Sequence, residues 1–403
     1  GANTARYISV TGNTVQRCIS GIVAQGTLAN PAQDVVIASN VVHHCSVARA
    51  TFGAGVFADP CKGIGVLYGL GVSVTDNEVV GIGYGLDDAG VEAAPAAAAV
   101  TTSYGIAAWS CIRAKVSGNT VRDLHTQGGG TATGVLVTAQ GNGGPAFSAT
   151  SWDVSGNTVF ATSGTANLDL GILVNAGQAA AASSPGPSSV SGVTLNGNNV
   201  RRSVAQGILV QASPDGTVSD VALSGNHVGT TTGTDGDGIA VVALPLDGAL
   251  AAGSVSGVRI ASCDVNGTNE RGIHIQAADG TTLEDVAVTD CTVTSPTQAG
   301  ILFEALTGGP AVFGRFQVSG CRVTDGASFG IRVLADDVAF LESVSITNCV
   351  VQDSNAGAAV GPGVDITCTA TGIAKVDLSR LTISGNQFDI DAADAIAISV
   401  EGL

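Results

Sequence analysis

The chain has 403 residues, a formal charge of −17, 12% charged side chains, 56 glycines, no Met and 4% aromatics. With only 16 Lys plus Arg, nowhere gathered into a basic stripe, nucleic acid and anionic membranes are argued against as partners. No run of about 18 apolar residues occurs, so no membrane insertion is expected.

Two short patterns alternate from end to end. The first is apolar-x-apolar, a turn residue (Gly, Asp, Ser or Asn), then Asn or Cys, one residue and another apolar. Its Asn or Cys falls at Asn13, Asn40, Asn77, Asn119, Asn157, Asn198, Asn226, Cys263, Cys291, Cys321, Cys349 and Asn386, which makes twelve copies. The second, Gly-(Ile/Val)-x-apolar, follows at Gly21, Gly55, Gly105, Gly134, Gly171, Gly207, Gly238, Gly272, Gly300, Gly330 and Gly363, with Ala395 in the last copy. The shortest spacings are 27 residues (Asn13 to Asn40) and 28 (Cys263 to Cys291); the longer ones are that period plus an insertion. Val286 to Ala305 shows the unit most cleanly, with alternating runs at Val286-x-Val288 and Ile301-x-Phe303-x-Ala305. Such alternation is the mark of a strand with one buried face.

In chain order, coils one to three (Tyr7 to Cys111) are irregular, and coil three carries GIGYGLDDAGVEAAPAAAAVTTSY between Asn77 and Gly105. Coils four and five add TAQGNGGPAFSAT and NAGQAAAASSPGPSS, and coil seven an insert near Leu244-Pro245-Leu246. Their composition reads as loop, and loops at similar places in neighbouring coils can wall a sheet. Coils six to eleven are otherwise tight. The chain begins inside a repeat and stops after another, although solenoids need polar caps. Residues 1–403 are therefore expected to be one β-helix domain that is a segment of a longer protein.

A period near 28 with short strands and no helical periodicity predicts an all-β solenoid, a single parallel β-helix of about twelve coils with loop insertions in coils three to seven. Coils stacked about 4.8 Å apart would make a rod roughly 55–60 Å long. These patterns resemble the right-handed parallel β-helix repeat family with the pectin-lyase-like fold, over about residues 7 to 400. That family includes polysaccharide lyases, polygalacturonases, uronan epimerases, phage tailspikes and surface proteins. The resemblance implies an extracellular, cell-surface or virion-surface setting and a polysaccharide or surface protein as partner.

Stacking turns sequence columns into ladders. Ala139, Ala176, Ala212, Ala243, Ala277, Ala305 and Ala335, followed by Cys368, should form one inward column, and the Asn column an amide ladder at the turn. Cys263, Cys291, Cys321 and Cys349 replace it with small buried thiols, and four thiols in a line cannot surround a tetrahedral ion. Cys18 with Cys45, each five residues after a motif Asn, and Cys61 with Cys111, each six after a motif Gly, are open to disulfide pairing.

The strongest polar constellation falls on the outward face of the strand after glycine in coils seven to eleven. The middle column there reads Ala240, His274, Leu302, Arg332, Asp365; Gln276 and Glu304 lie in the next, and Asp237 and Arg271 just before their glycines. His274, Glu304, Arg332, Asp237, Arg271 and Asp365 could supply an acid, a base and a clamp for an acidic sugar. They could equally be ladder ion pairs on a solvated face, Arg332 beside Asp365 and Asp237 beside Arg271. Thr234-Asp235-Gly236-Asp237-Gly238-Ile239 loosely resembles the aspartate-bearing motif of polygalacturonases, with Gly272-Ile273-His274 one coil later. That family's Gly-His-Gly and Arg-Ile-Lys motifs are absent, as is the Asp-Pro-His segment of alginate epimerases.

No cofactor is expected other than Ca2+, for which Asp336-Asp337 and Asp87-Asp88 are the candidate donors; His43-His44 and His125 have no obvious metal partners. Leu136, Leu173 and Leu209 stack outward in consecutive coils, an apolar stripe suited to homo-oligomerisation unless loops cover it. Two functional classes follow: a structural or adhesive β-helix shaft binding a glycan or protein, and a polysaccharide-active enzyme (lyase, hydrolase or epimerase) acting on an acidic glycan.

Overall fold

The computed structural model describes residues 6–18, 20–45, 61–83, 85–86, 92–93, 102–126, 130–139, 147–162, 168–177, 187–234, 236–245, 252–306, 312–326, 328–336, 340–353, 362–369, 377–390 and 398–401. Each coil contributes three strands. In the cleanest coil these are Thr282–Thr289, ending before the ladder position, Thr292–Thr294 just after it, and Ala299–Ala305, which carries the Gly-Ile pattern. Equivalent strands pair in parallel from coil to coil and build three 12-stranded sheets, here called first, second and third in that order. A short antiparallel pair, Gly85–Leu86 with Glu92–Ala93, lies in the coil-three insertion. No helix among the described residues is long and apolar enough to cross a membrane.

The corner between the first and second sheets explains the first pattern. In every coil the residue before the ladder position has a left-handed backbone, with φ between +52° (Ser262, Asp290) and +68° (Gly12, Gly385). Gly, Asn and short polar residues tolerate that region best, hence the Gly/Asp/Ser/Asn preference at this place. The turn then aims the ladder side chain inward. Asn119 is 1% exposed, and its Oδ1 accepts hydrogen bonds from the Asn77 backbone N–H (3.0 Å) and side-chain amide (2.9 Å). Its own amide donates to Val74 O and to Asn157 Oδ1 (both 2.9 Å). The same contacts run from Asn13 to Asn226. Beyond Asn226 the column is Cys, and the thiols lie within weak hydrogen-bond reach of carbonyls, as Cys291 Sγ does of Thr289 O (3.3 Å).

Close approach explains the second pattern. A Cβ on Gly105 would lie 2.3 Å from Val121 Cγ1, and one on Gly272 2.2 Å from Val293 Cγ1, so the second-sheet valine occupies the space that a side chain would need. The same contact corrects the reading of coil two. Gly63, not Gly55, carries the strand there (Cys61–Leu67): its Cβ would meet Val79 Cγ1 at 2.4 Å, and Ile64 is in register with Ile22 and Ile106. Gly55 lies outside the described residues. Cys61 therefore opens its strand opposite Ser103, out of register with Cys111. In the last coil Val364 pairs with Ile398, and Ala395 lies outside the described residues.

The alanine column holds as expected, from Ala139 through Ala335 to Cys368, in unbroken register. The inserts of coils four and five are shorter than their composition suggests. Ala132–Ala139 and Phe147–Ser155 claim both ends of the first, and Leu170–Ala176 and Ser188–Asn196 both ends of the second. Ladder partners such as Phe147 with Ser188 override loop propensity at those ends. Residues 140–146 and 178–186 lie outside the described set.

Cys18, Cys45, Cys61, Cys111 and the four column cysteines form no disulfide; Cys18 and Cys45 Sγ are 3.6 Å apart. Burial pushes the Cys111 thiol up to about 12.

Two substitutions separate the parts of the corner. Gly197 has φ +62° and nothing within 4 Å of a built Cβ, so Gly197→Ala should cost about 1–2 kcal/mol from backbone conformation alone, and Gly197→Asn less. Asn119→Ala leaves buried donors of Asn77 and the Val74 carbonyl unpaired and should cost about 3 kcal/mol. Urea unfolding midpoints measure both; an Asn119→Ala midpoint equal to that of the parent chain would show that the ladder does not stabilise the turn.

Candidate functional site

Outward positions of the third sheet form three columns: the residue before the glycine, the second after it and the fourth after it. Parallel register puts Ala240, His274, Leu302, Arg332 and Asp365 in the middle column, as expected, with Val242, Gln276, Glu304 and Leu334 in the last. The middle column is not a solvated face. Ala240 is 0% exposed, His274 3%, Leu302 7% and Asp365 4%.

The sequence-predicted residues divide into two clusters. In the first, the buried Asp237 carboxylate lies 2.9 Å from His274 Nδ1, and the Glu304 carboxylate 3.2 Å from His274 Nε2. Arg271 donates to Asp237 through its backbone N–H (3.3 Å) and Nη1 (3.4 Å), and Nη1 is also 2.9 Å from the Glu270 carboxylate. Gln276 donates to Glu304 (3.2 Å). In the second cluster Arg332 Nε is 2.8 Å from Asp365 Oδ2, and its guanidinium stacks over Phe329 at 4.2 Å from the ring centroid. Leu302 separates the two, because it occupies the rung between His274 and Arg332. The six residues therefore fall into two clusters two rungs apart.

The electrostatics define what the first cluster can do. Burial acts to lower the pKa of His274, but hydrogen bonds to Asp237 and Glu304 outweigh it and hold the imidazole above its ordinary value. The His274 hydrogen bond in turn holds Glu304 below the ordinary carboxylate range, against the opposing effect of burial. When protonated, the imidazole donates at both nitrogens and bridges carboxylates of coils seven and nine. A general base needs a free lone pair directed at substrate. Here both ring nitrogens face protein carboxylates, and the group acts as a clamp between coils.

Linkage gives the clamp a pH signature. The raised pKa of His274 stabilises the fold fully below the ordinary value of 6.5 and ceases to do so as pH rises through the folded-state value. The lowered pKa of Glu304 contributes above 4.5 and is lost as pH falls through its folded-state value. His274→Gln, which removes the positive charge between the Asp237 and Glu304 carboxylates, should destabilise by about 3 kcal/mol near pH 6, shrinking toward alkaline pH. Thermal melts of parent and variant across pH would check this, and a constant difference would rule out the imidazolium clamp.

Of the two readings of the leucine stripe, the structure favours the covered one. Leu136 is 3% and Leu209 7% exposed within the single chain, and Leu173 is half-buried. Most of the stripe is therefore covered within the single chain. Among the candidate calcium donors, Asp87, Asp88 and Asp337 lie outside the described residues; Asp336 ends the strand Phe329–Asp336. Among the described residues no three His, Cys, Asp or Glu side chains gather in a metal-holding group.

Sequence reasoning missed a cleft of about 610 Å³ on the second sheet, lined by Phe160, Asn199, Arg201, Arg202, His227 and Gly229 among others. The Asn alignment held the signal, since Phe160, Arg201 and Gly229 each lie three residues after a ladder Asn. The search for chemistry had followed the glycine-bearing strand instead. Glu270, next to Arg271, was also passed over.

The family described as the right-handed β-helix region matches residues 248–402. No curated protein matches the sequence. Among solved structures, the periplasmic alginate epimerase AlgG is similar at 12% identity, with 94% of this chain and 77% of that chain covered and a TM-score of 0.52. An alginate lyase from Paenibacillus sp. str. FPU-7 shows 14% identity, coverage of 90% and 98% and a TM-score of 0.39. The Streptococcus pneumoniae surface protein and adhesin PfbA shows 11%, coverage of 96% and 91% and a TM-score of 0.39. At such identities a likeness speaks for fold alone, and it agrees with the strand order and register: the chain is a right-handed parallel β-helix of twelve coils.

Proposed function

We propose that the chain is a rigid, non-catalytic β-helix shaft that acts outside the cell or on a cell or virion surface and binds a glycan along its side. The observation that carries this reading is the closed state of His274: 3% exposed, with both ring nitrogens against carboxylates. The most reactive set of side chains read from the sequence is spent on holding three coils together. Support for a glycan ligand comes from the likeness of the fold to an enzyme acting on alginate, which is an analogy of architecture. It comes also from a lateral polar cleft on an otherwise tightly stacked rod.

Incubation of the purified chain with neutral and acidic polysaccharides tests the reading. The expected result is retained glycan with no new reducing ends, no absorbance from unsaturated products and no change in uronate composition. Turnover abolished by His274→Gln in a folded variant would make the chain an enzyme and overturn the proposal.

A further inference from the structure

The cleft on the second sheet has features that the stacking of the coils does not require. It spans the short strands Thr158–Phe160, Asn199–Ser203, His227–Thr231 and Asp264–Asn266 of four successive coils. One outward column crosses it as Phe160, Arg201, Gly229, Asn266, and the neighbouring column as Thr158, Asn199, His227, Asp264.

Gly229 is the first of these features. Glycine weakens a strand interior and is retained where the backbone needs it or where something approaches closely. Backbone does not need it here: Gly229 is absent from the positive-φ glycines. Nor does the core, since a Cβ would make only ordinary contacts, 3.7 Å from His227 Nε2 and 3.8 Å from Arg201 Cγ. Gly207 and Gly238 differ, each with a valine Cγ1 at 2.2 Å from its built Cβ. What the missing side chain does at 229 is keep a notch open between Arg201 and Asn266.

The charges are the second feature. In a chain with 33 Asp plus Glu and 16 Lys plus Arg, the sheet arginines Arg122, Arg271, Arg315 and Arg332 each touch a carboxylate. Arg201 and Arg202 do not, among the described residues. Arg201 Nε donates to Asn199 Oδ1 (2.9 Å) and Arg202 Nη1 to Thr162 O (3.1 Å), contacts that orient both guanidiniums while leaving their charge uncompensated. His227 is held through Nδ1 by Asp264 at 2.9 Å, so Nε2 remains on the side of the notch. Half-buried Phe160 supplies an apolar face on the next rung.

We propose that this cleft binds a carboxylated sugar unit within an acidic polysaccharide. The two guanidinium forks match a carboxylate, the phenyl ring packs against the apolar face of a pyranose, and Asn199 and His227 meet hydroxyls. Because the binding elements lie on rungs repeating every 4.8 Å or so, an extended chain of linked sugars can lie across several of them. The proposal rests on the glycan-binding reading above and assigns it a site and a ligand charge.

Calorimetric titration of the full chain with a galacturonate oligomer, a neutral glucose oligomer of equal length and a single-stranded polynucleotide tests it. The acidic sugar alone should bind, more weakly as salt rises. Arg201→Ala with Arg202→Ala should weaken binding roughly tenfold or more. Gly229→Leu, which keeps both charges and fills the notch, should do the same, whereas His274→Gln on the third sheet should not. Unchanged affinity in both cleft variants would overturn the site while leaving a glycan-binding shaft. Preference for the neutral oligomer, or equal binding of polynucleotide, would overturn the carboxylated-sugar assignment. Failure to bind any glycan would remove this proposal and the shaft's ligand together.

Discussion

The corner between the first and second sheets is the constraint on which this molecule depends. One left-handed residue turns the chain, and the next side chain is aimed into the core, where it must find partners or be apolar. From Asn13 to Asn226 the Asn side chains meet that demand by pairing with the same group of the neighbouring coil at the same height. The register of all three sheets follows, since coils locked at one corner carry their strands into parallel pairing. A slip of one residue would expose the valines and isoleucines and bury the outward set.

Rigid stacking fixes outward chemistry as firmly as inward packing. His274 meets Asp237 and Glu304 because they occupy neighbouring rungs, and Leu302 keeps Arg332 apart for the same reason. On the second sheet the same rule places Arg201 beside Gly229 and Phe160. One scaffold thus holds a neutralised, closed cluster on one side and an uncompensated, concave one on another. The difference lies in side-chain partners, since the backbone is nearly the same in both.

Fold and register were legible in the sequence because each rests on a local physical need that recurs along the chain: a left-handed turn residue in all twelve coils, a ladder amide in eight and a glycine under a valine in ten. Where a pattern occurred twice within a coil, as at Gly55 and Gly63, spacing could not choose; packing against Val79 does. Ion-pair partners were legible for Arg332 with Asp365 and Arg271 with Asp237, because adjacent rungs suffice to name them. Burial was not. Whether an outward column meets solvent depends on what lies over the sheet, and alternation within one strand carries no information about that. The burial of His274 was not legible for this reason, and the cleft at Arg201 was not because concavity arises from four strands together.

The ladder also has a direction and a break. From Asn13 to Asn226 each amide donates to the next, so their dipoles align along the rod and each bond polarises its neighbour. Between Asn226 and Cys263 the chain of donors ends in a 3.8 Å contact to sulfur, and it resumes only at Asn386, which accepts from the Cys349 backbone. The rod is therefore two segments joined end to end, one bound by a continuous polar spine and one by thiols. The seam between coils seven and eight, where that spine ends, is also the one crossed by the side-chain pairs of Asp237 with His274 and of His227 with Asp264.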